Sequence, residues 1–463
     1  MLRVLLLFCF AGINHFYSIA QGKNVEVWLT SPDKSALLQK QAKTFSFEKI
    51  DNLLPTIFVD ETKSFQKMDG FGFTLTGGSA TLINQMGIAE KNALLKELFT
   101  TNANNIGVSY LRISIGASDL DDHVFSYNDL KQGESDPKLS QFSLAPDKKD
   151  LIPVLKLILA INPEIKILGS PWSPPTWMKS NDNSKGGSLK PEYYGVYAQY
   201  LAKYIQEMKK EGIKIDAITV QNEPLHPGNN PSLLMLPEEQ LLFVKKYLGP
   251  TFKAGKIATK ILIYDHNADR PDYPISILND PEARKYIDGS AFHLYGGSIE
   301  ALSDVHNAHP DKNVYFTEQW IGSPGNFAGD FAWHIKNLII GASRNWAKTV
   351  LEWNLAADPQ QNPHTEGGCT QCLGAITIDG NKITRNPAYY IVAQASKFVR
   401  PNAVRIASNV TMTLPNVAFK TLSGKKVLIV QNESNKAQSF NISFQGKKIT
   451  QTLEAGVVAT YVW

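Results

Sequence analysis

Eight short runs of apolar and β-branched residues, with helix signals between them, set the strongest limit on what this chain can fold into. They lie near residues 68–75, 108–115, 165–170, 215–222, 261–265, 291–295, 314–318 and 349–354. Strands that read as continuous apolar runs are buried on both faces, and their alternation with helices marks a parallel sheet. The helices have recognisable ends. One carries Val154, Leu155 and Ile158 and ends at Asn162-Pro163. A second carries Tyr197, Leu201, Tyr204, Ile205 and Met208 and stops at Gly212. A third starts at Pro237-Glu238-Glu239, runs through Leu241, Val244 and Leu248, and is expected to stop at Gly249-Pro250. Eight such units in about 320 residues predict a (β/α)8 TIM barrel with insertions.

The character changes at both ends of the chain. After a helix predicted over 387–398, Phe440/Ile442/Phe444 and Val457/Ala459/Tyr461/Trp463 alternate with period two between Gly, Lys and Asn turns. This predicts an antiparallel β region, and Val25–Leu29 shares its pattern. The expected organisation is a β-sandwich side domain built from both chain ends, with residues 21–64 as its first part. The catalytic barrel is then 65–386, and 387–463 holds the last barrel helix and the rest of the sandwich.

Residues 1–20 carry one positive charge at Arg3, then the apolar run Val4–Phe10, then small and polar residues ending Ser18-Ile19-Ala20. That is the pattern of a cleaved secretory signal peptide, so a secreted or periplasmic protein is expected. No later run is long enough to span a membrane. The whole chain has 47 basic and 43 acidic residues. Without Arg3 the excess is about +3 and no basic run remains, which speaks against a nucleic-acid partner. Beyond the leader only Cys369 and Cys372 remain, in Gly-Gly-Cys-Thr-Gln-Cys. In an exported chain a disulfide closing a short loop is favoured over free thiols, zinc or a redox pair.

Two glutamates stand where strand runs stop: Glu223 in Val220-Gln221-Asn222-Glu223-Pro224, and Glu318 in Val314-Tyr315-Phe316-Thr317-Glu318-Gln319-Trp320. Either alone reads as well as a strand-end acid in a salt bridge. Together, at the ends of the fourth and seventh strands, they face the one pocket that a barrel builds at its carboxyl end. An acid and a nucleophile facing one bond can split a glycosidic linkage. Other strand ends add Asp69, Arg112, Asp119, Trp172, Asp265-His266-Asn267, His293, Tyr295 and Trp353-Asn354. Singly, such a Trp or His is more often core than site. A metal set of His266, His293 and Glu318 is conceivable, but its spacing matches no familiar metal motif, so no metal is expected. Neither a G-x-S-x-G elbow nor a P-loop occurs.

The chain resembles glycoside hydrolase family 30, whose members include glucosylceramidases and endo-β-1,6-glucanases, over essentially its whole mature length. The matching strings are Gly70-Phe71-Gly72, Leu111-Arg112-Ile113-Ser114, Ser170-Pro171-Trp172-Ser173-Pro174-Pro175-Thr176-Trp177-Met178-Lys179 and Gly187-Ser188-Leu189-Lys190. To these are added Gln221-Asn222-Glu223-Pro224, His293-Leu294-Tyr295, Thr317-Glu318 and Trp353-Asn354-Leu355-Ala356. The resemblance implies a barrel with a β-sandwich, Glu223 as acid/base and Glu318 as nucleophile. It also implies that Arg112 holds the nucleophile's surroundings, that Asn222 meets the sugar's 2-hydroxyl, and that Asp119, Trp172 and Trp353 bind the glucose ring. His293 and Tyr295 join the expected substrate-binding set.

The expected activity is retaining hydrolysis of a β-glucoside, as a monomer and without metal or organic cofactor. The loops after the fifth, sixth and eighth strands depart from the sphingolipid-cleaving members and resemble the β-1,6-glucan branch. They offer Asp265, His266, Asn267, Asp269, Arg270, Gln360, Gln361, Asn362 and His364, which suit a hydroxyl-rich leaving group. Glucosylceramide is the second choice. A xylan-cleaving activity is disfavoured, and a non-catalytic glycan-binding protein would be expected to lack one of the two carboxylates.

Overall fold

The computed structural model describes residues 24–463, so the expected signal peptide lies outside the described residues. Eight parallel strands close into a barrel in chain order. They are β1 (Gly70–Thr74), β2 (Tyr110–Ile115), β3 (Lys166–Pro171), β4 (Ala217–Thr219), β5 (Lys260–Ala268), β6 (Ile287–Gly297), β7 (Asn313–Glu318) and β8 (Ala347–Asn354). Side chains alternate in and out along each strand. One buried inner layer is therefore Tyr110, Leu168, Ala217, Leu262, Ala291, Tyr315 and Leu351, from seven different strands. The eighth, β1, contributes glycine here. A Cβ on Gly72 would sit 1.8 Å from the Tyr110 carbonyl oxygen, so only glycine lets β1 close against β2.

Two positions further along most strands, the inward residues turn polar: Arg112, Ser170, Thr219, His293 and Thr317, all buried. On β5 the parity breaks. Tyr264 and Asp265 both take left-handed backbone angles, φ 73° and 65°, and the β5–β6 register shifts beside them. This bulge turns Asp265, rather than Tyr264, into the barrel axis. Asp69, expected at the pocket end of β1, lies at the opposite mouth instead. It precedes the strand, and its carboxylate pairs there with Lys166 at 2.8 Å and Lys348 at 3.7 Å.

Two further expectations are corrected. The helix beginning at Pro237 does not stop at Gly249-Pro250. Its α-helical part, Pro237–Phe243, widens into a π-helical turn over Val244–Leu248, and helix resumes over Gly249–Ala254. Proline is tolerated in the first turn of a helical segment, where its missing N–H has no partner to lose. The fourth strand also ends earlier than its apolar run suggests, at Thr219, leaving Glu223 beyond it rather than at its last residue.

The side domain is a ten-stranded sheet. Asn24–Thr30 pairs with Val458–Val462 and Thr56–Lys67 with Val404–Ser408, so both ends of the chain build it. Its pairings are antiparallel except that of Thr56–Lys67 with Gln438–Phe444, which is parallel. One face buries Val25, Val27, Ile57, Phe440, Ile442 and Tyr461 in a core of its own, giving the sandwich. The other face sends Trp28, Phe419, Ile429 and Val458 into the barrel's core. Helix Pro387–Ser396 is buried along its full length between the two. Its Gln394 donates to Thr30 Oγ1 at 2.6 Å and accepts from Thr460 at 2.7 Å. Among the described residues, no helix is long and apolar enough to cross a membrane.

Candidate active site

The carboxyl end of the barrel opens into a cleft of about 540 Å³. Glu318, at the end of β7, and Glu223, in the loop after β4, both reach it. The chain leaves the β4 ladder at Thr219 but stays stitched to β5: Val220 N–H donates to the Leu262 carbonyl at 3.0 Å and Glu223 N–H to the Asp265 carbonyl at 2.9 Å. Glu223 itself has φ 42°, a left-handed backbone that few non-glycine residues adopt outside constrained sites.

Beneath the carboxylates lies a buried network of charge. Arg112, with no exposed surface, donates to Glu318 Oε2 at 2.5 Å, Asn222 Oδ1 at 2.6 Å, Asp265 Oδ2 at 2.8 Å and Ser170 Oγ at 3.2 Å. Its guanidinium also stacks 4.7 Å from the Trp172 ring and 5.6 Å from that of Trp353. Asp265 accepts from Arg112, from Ser170 at 2.8 Å and from Thr317 at 2.6 Å, and faces His293 Nε2 at 3.1 Å. The other nitrogen of His293 lies 3.0 Å from Glu223 Oε1 and 3.7 Å from Glu318 Oε1. Tyr295 donates its hydroxyl to Glu318 Oε1 at 2.9 Å.

These neighbours set protonation. Burial works against the charge of His293, but Glu318, Asp265 and Glu223 outweigh it and raise its pKa to about 10. Burial likewise opposes ionisation of Asp265, yet Arg112 and His293 hold it well below the usual carboxylate range. At Glu223 burial is outweighed by the His293 charge, which keeps its pKa below the ordinary value. At Glu318 burial, aided by Glu223 and Asp265, prevails over His293 and Arg112 and keeps it above. Burial, then the charge of Glu318, pushes Asp119 up to about 7.

Of the residues expected to meet sugar, Asp119, Trp172, Asn222, Tyr295 and Trp353 line the cleft. Arg112 and His293 are wholly buried behind it. Trp172 and Trp353 pack together with centroids 5.3 Å apart. From the expected leaving-side loops, His266 and Asn267 reach the cleft, whereas Asp269, Arg270, Gln360, Gln361, Asn362 and His364 do not line it. Asp265 is spent on the buried network.

Other lining residues went unanticipated: Leu225, His226, Gly228 and Asn229 from the loop after β4, and Trp320 two residues past Glu318. Their signal was proximity, since the first four lie within five residues of the Glu223 string and Trp320 closes the Glu318 string. Cys369 and Cys372 are joined by a disulfide, and both line the cleft. The loop that carries them is tied to three others. Cys369 N–H donates to Asp119 Oδ2 at 3.3 Å, Asn230 donates to the Glu366 carbonyl at 2.8 Å, and Cys372–Leu373 pairs with Ile321–Gly322.

For a metal, the atoms that converge are those of Glu223, His266 and His293. Glu223 thus stands where the sequence suggested Glu318.

Paired carboxylates, aromatic walls and amides at the mouth of a barrel define a carbohydrate-hydrolysing site. Comparison with known proteins agrees. The Glycosyl hydrolase family 30 TIM-barrel domain matches residues 68–399, and the Glycosyl hydrolase family 30 beta sandwich domain matches residues 402–461. The chain belongs to glycosyl hydrolase family 30. It is 34% identical over 403 residues to the endo-1,6-beta-D-glucanase neg1 of Aspergillus fumigatus, covering 81% of this chain and 80% of that one. It is 28% identical over 433 residues to the lysosomal acid glucosylceramidase of Mus musculus, covering 87% and 82%. Among solved structures, the endo-beta1,6-glucanase BT3312 superposes with a TM-score of 0.89 at 36% identity, covering 95% of this chain and 99% of that one.

Proposed function

We propose that the protein is a retaining β-glucosidase-type hydrolase of β-1,6-linked glucan or its oligosaccharides, exported through residues 1–20 and acting as a monomer. In this reading the barrel (65–386) carries the chemistry, and the segments 21–64 and 387–463 support it. Glu318 attacks the anomeric carbon while Glu223 protonates the leaving oxygen. Water deprotonated by Glu223 then releases glucose from the covalent intermediate. The observation that carries the reading is the shared contact of both carboxylates with His293 Nδ1, at 3.0 and 3.7 Å. It keeps their facing oxygens within about 7 Å, which favours the close pair of a retaining enzyme (~5–5.5 Å) over the wide inverting pair (~6.5–9.5 Å).

Arg112 and Tyr295 hold Glu318 in place from two sides. The resting polarity, with Glu223 below and Glu318 above their ordinary values, is the reverse of what the first step needs, while a low Glu223 suits the second step, in which it is the base. For the first step the nearest proton to Glu223 is the one on His293 Nδ1. Asp119, Trp172, Asn222 and Trp353 are assigned to the glucose ring and its hydroxyls.

The leaving side supports a sugar. His226, Asn229, His266 and Asn267 line it beside Leu225 and Trp320, a polar set of the kind that grips hydroxyls, where a lipid would call for an apolar rim. The similarity to glucanases at 34 and 36% identity against 28% for the mouse glucosylceramidase points the same way. The test is to compare release from pustulan-type β-1,6-glucan with release from glucosylceramide in detergent, and to follow the first glucan product by NMR. Glucan should be cleaved, with the β-anomer appearing before mutarotation. Fast ceramide release without attack on glucan would overturn the substrate, and an initial α-anomer would overturn the mechanism.

A further inference from the structure

The inner wall of the cleft brings together a carboxylate and two imidazoles in an arrangement that glycoside hydrolysis does not require. Glu223, His266 and His293 each present one ligand atom, and these atoms lie within 4.8 Å of one another. His293 Nδ1 is 3.0 Å and His266 Nδ1 3.9 Å from Glu223 Oε1. Those distances bracket the ~3.4 Å between donors around a tetrahedral ion with bonds of about 2.1 Å.

Two features beyond proximity mark this as a built site. The first is that His293 hangs from Asp265 through its other nitrogen, at 3.1 Å, and Asp265 is itself fixed by Arg112, Ser170 and Thr317. A carboxylate holding the far nitrogen of an imidazole is the support that metal-binding histidines regularly have. The second is His266. It is 7% exposed, and its Nδ1 is buried without a hydrogen-bond partner while pointing toward Glu223.

We infer that Glu223, His266 and His293 form a binding site for one divalent transition-metal ion with affinity for nitrogen ligands, such as Zn²⁺, and that its occupation switches the enzyme off. Two imidazoles and one carboxylate suit zinc or its neighbours, whereas Mg²⁺ and Ca²⁺ prefer all-oxygen shells. The ion takes the place of the proton between His293 Nδ1 and Glu223 Oε1, and that proton leaves to solvent. The fourth coordination position faces the cleft and takes water. With Oε1 bound to metal, Glu223 has no proton to deliver and no free lone pair there to accept one. The site stands on geometry alone, while the inhibition rests on Glu223 being the acid/base.

The experiment is a titration of the full-length protein with ZnCl₂ by calorimetry in the absence of substrate, run beside hydrolysis of methyl β-glucoside, whose poor leaving group needs a proton from the acid. One Zn²⁺ should bind per chain, activity should fall over the same concentrations, EDTA should restore it, and MgCl₂ should do neither. His266→Gln and His266→Asn should each weaken Zn²⁺ binding at least tenfold. Co²⁺ added to wild type should give a visible d–d absorption that Zn²⁺ displaces, a readout that needs no variant to fold. Absence of saturable binding, equal affinity in the His266 variants, or loss of binding with His226→Gln instead would overturn the site. Stoichiometric binding with undiminished turnover would uphold the site and dislodge Glu223 from the acid/base role, which separates the two failures.

Discussion

Replacing Tyr295 by phenylalanine removes one hydroxyl from the face of the proposed nucleophile and little else. The ring is 38% exposed, so its packing contributes modestly to stability, but its hydroxyl donates to Glu318 Oε1 at 2.9 Å. Burial and the charge of Glu318 raise the Tyr295 pKa, so it remains a donor throughout the working pH range. A hydrogen bond to a charged group contributes about 1.5–3 kcal/mol, or roughly 10- to 150-fold in rate at 1.4 kcal/mol per decade. Where that energy appears depends on the charge of Glu318. The carboxylate loses its charge as the glycosyl ester forms and regains it as water displaces the sugar, so the second step should bear the loss. With an aryl β-glucoside whose first step is fast, kcat of Tyr295→Phe should fall by about 10- to 150-fold. KM should fall with it, because the glycosyl-enzyme accumulates. Stopped-flow measurement should then show a burst of one aryl equivalent per enzyme. A kcat within twofold of wild type, or a rise in KM without loss of kcat, would refute this reasoning.

Glu318→Gln should lower turnover of every substrate by several orders of magnitude, whereas Glu223→Gln should retain aryl glucosides with good leaving groups and be rescued by azide; a tenth of wild-type activity in Glu318→Gln would unseat it as nucleophile. Burial raises Asp121 and Asp147 to about 7, above the ~3.9 of an unfolded aspartate. The folded state therefore binds more protons between those values, and the stability these groups contribute, present below about pH 4, is lost as pH rises through 7. Glu61 acts in the opposite sense, since Lys426 and Lys420 lower it to about 2, and its contribution is lost below about pH 4. The melting temperature should thus be higher at pH 5.5 than at pH 8, and equal values would contradict the assignment. Replacing Cys369 and Cys372 together by serine should raise KM severalfold with kcat within twofold, because the loop that holds Asp119 loosens; an unchanged KM would detach that loop from sugar binding.

The barrel was readable because parallel strands covered on both faces leave unbroken apolar runs, and all eight lie where those runs do. The strands around the site were less so. The run over 215–222 reads as one strand, yet the chain quits the ladder at Thr219 to aim Glu223. The bulge at Tyr264 and Asp265 leaves no trace in hydropathy, and without it period-two counting would send Tyr264 inward. Glu223, Glu318, Trp172 and Trp353 were visible because they stand at or just past strand ends. His226, Asn229 and Trp320 lie in loops, where no periodicity singles out a residue. Local turn signals also misled at Gly249-Pro250, since the widened turn over Val244–Leu248 carries the helix through a pair that elsewhere ends one.

The strand Val458–Val462 lies between Asn24–Thr30 and Lys426–Gln431, an interior place in the sheet that joins segments far apart in sequence. Until Val458–Val462 docks, Asn24–Thr30 has no neighbour on that side and its Trp28 no finished wall to lie against. Pairing segments so far apart in sequence means closing a loop of several hundred residues, so on contact-order grounds this seam closes late in folding. Trimming either end would open the same seam, because Glu26 and Val462 are paired across it.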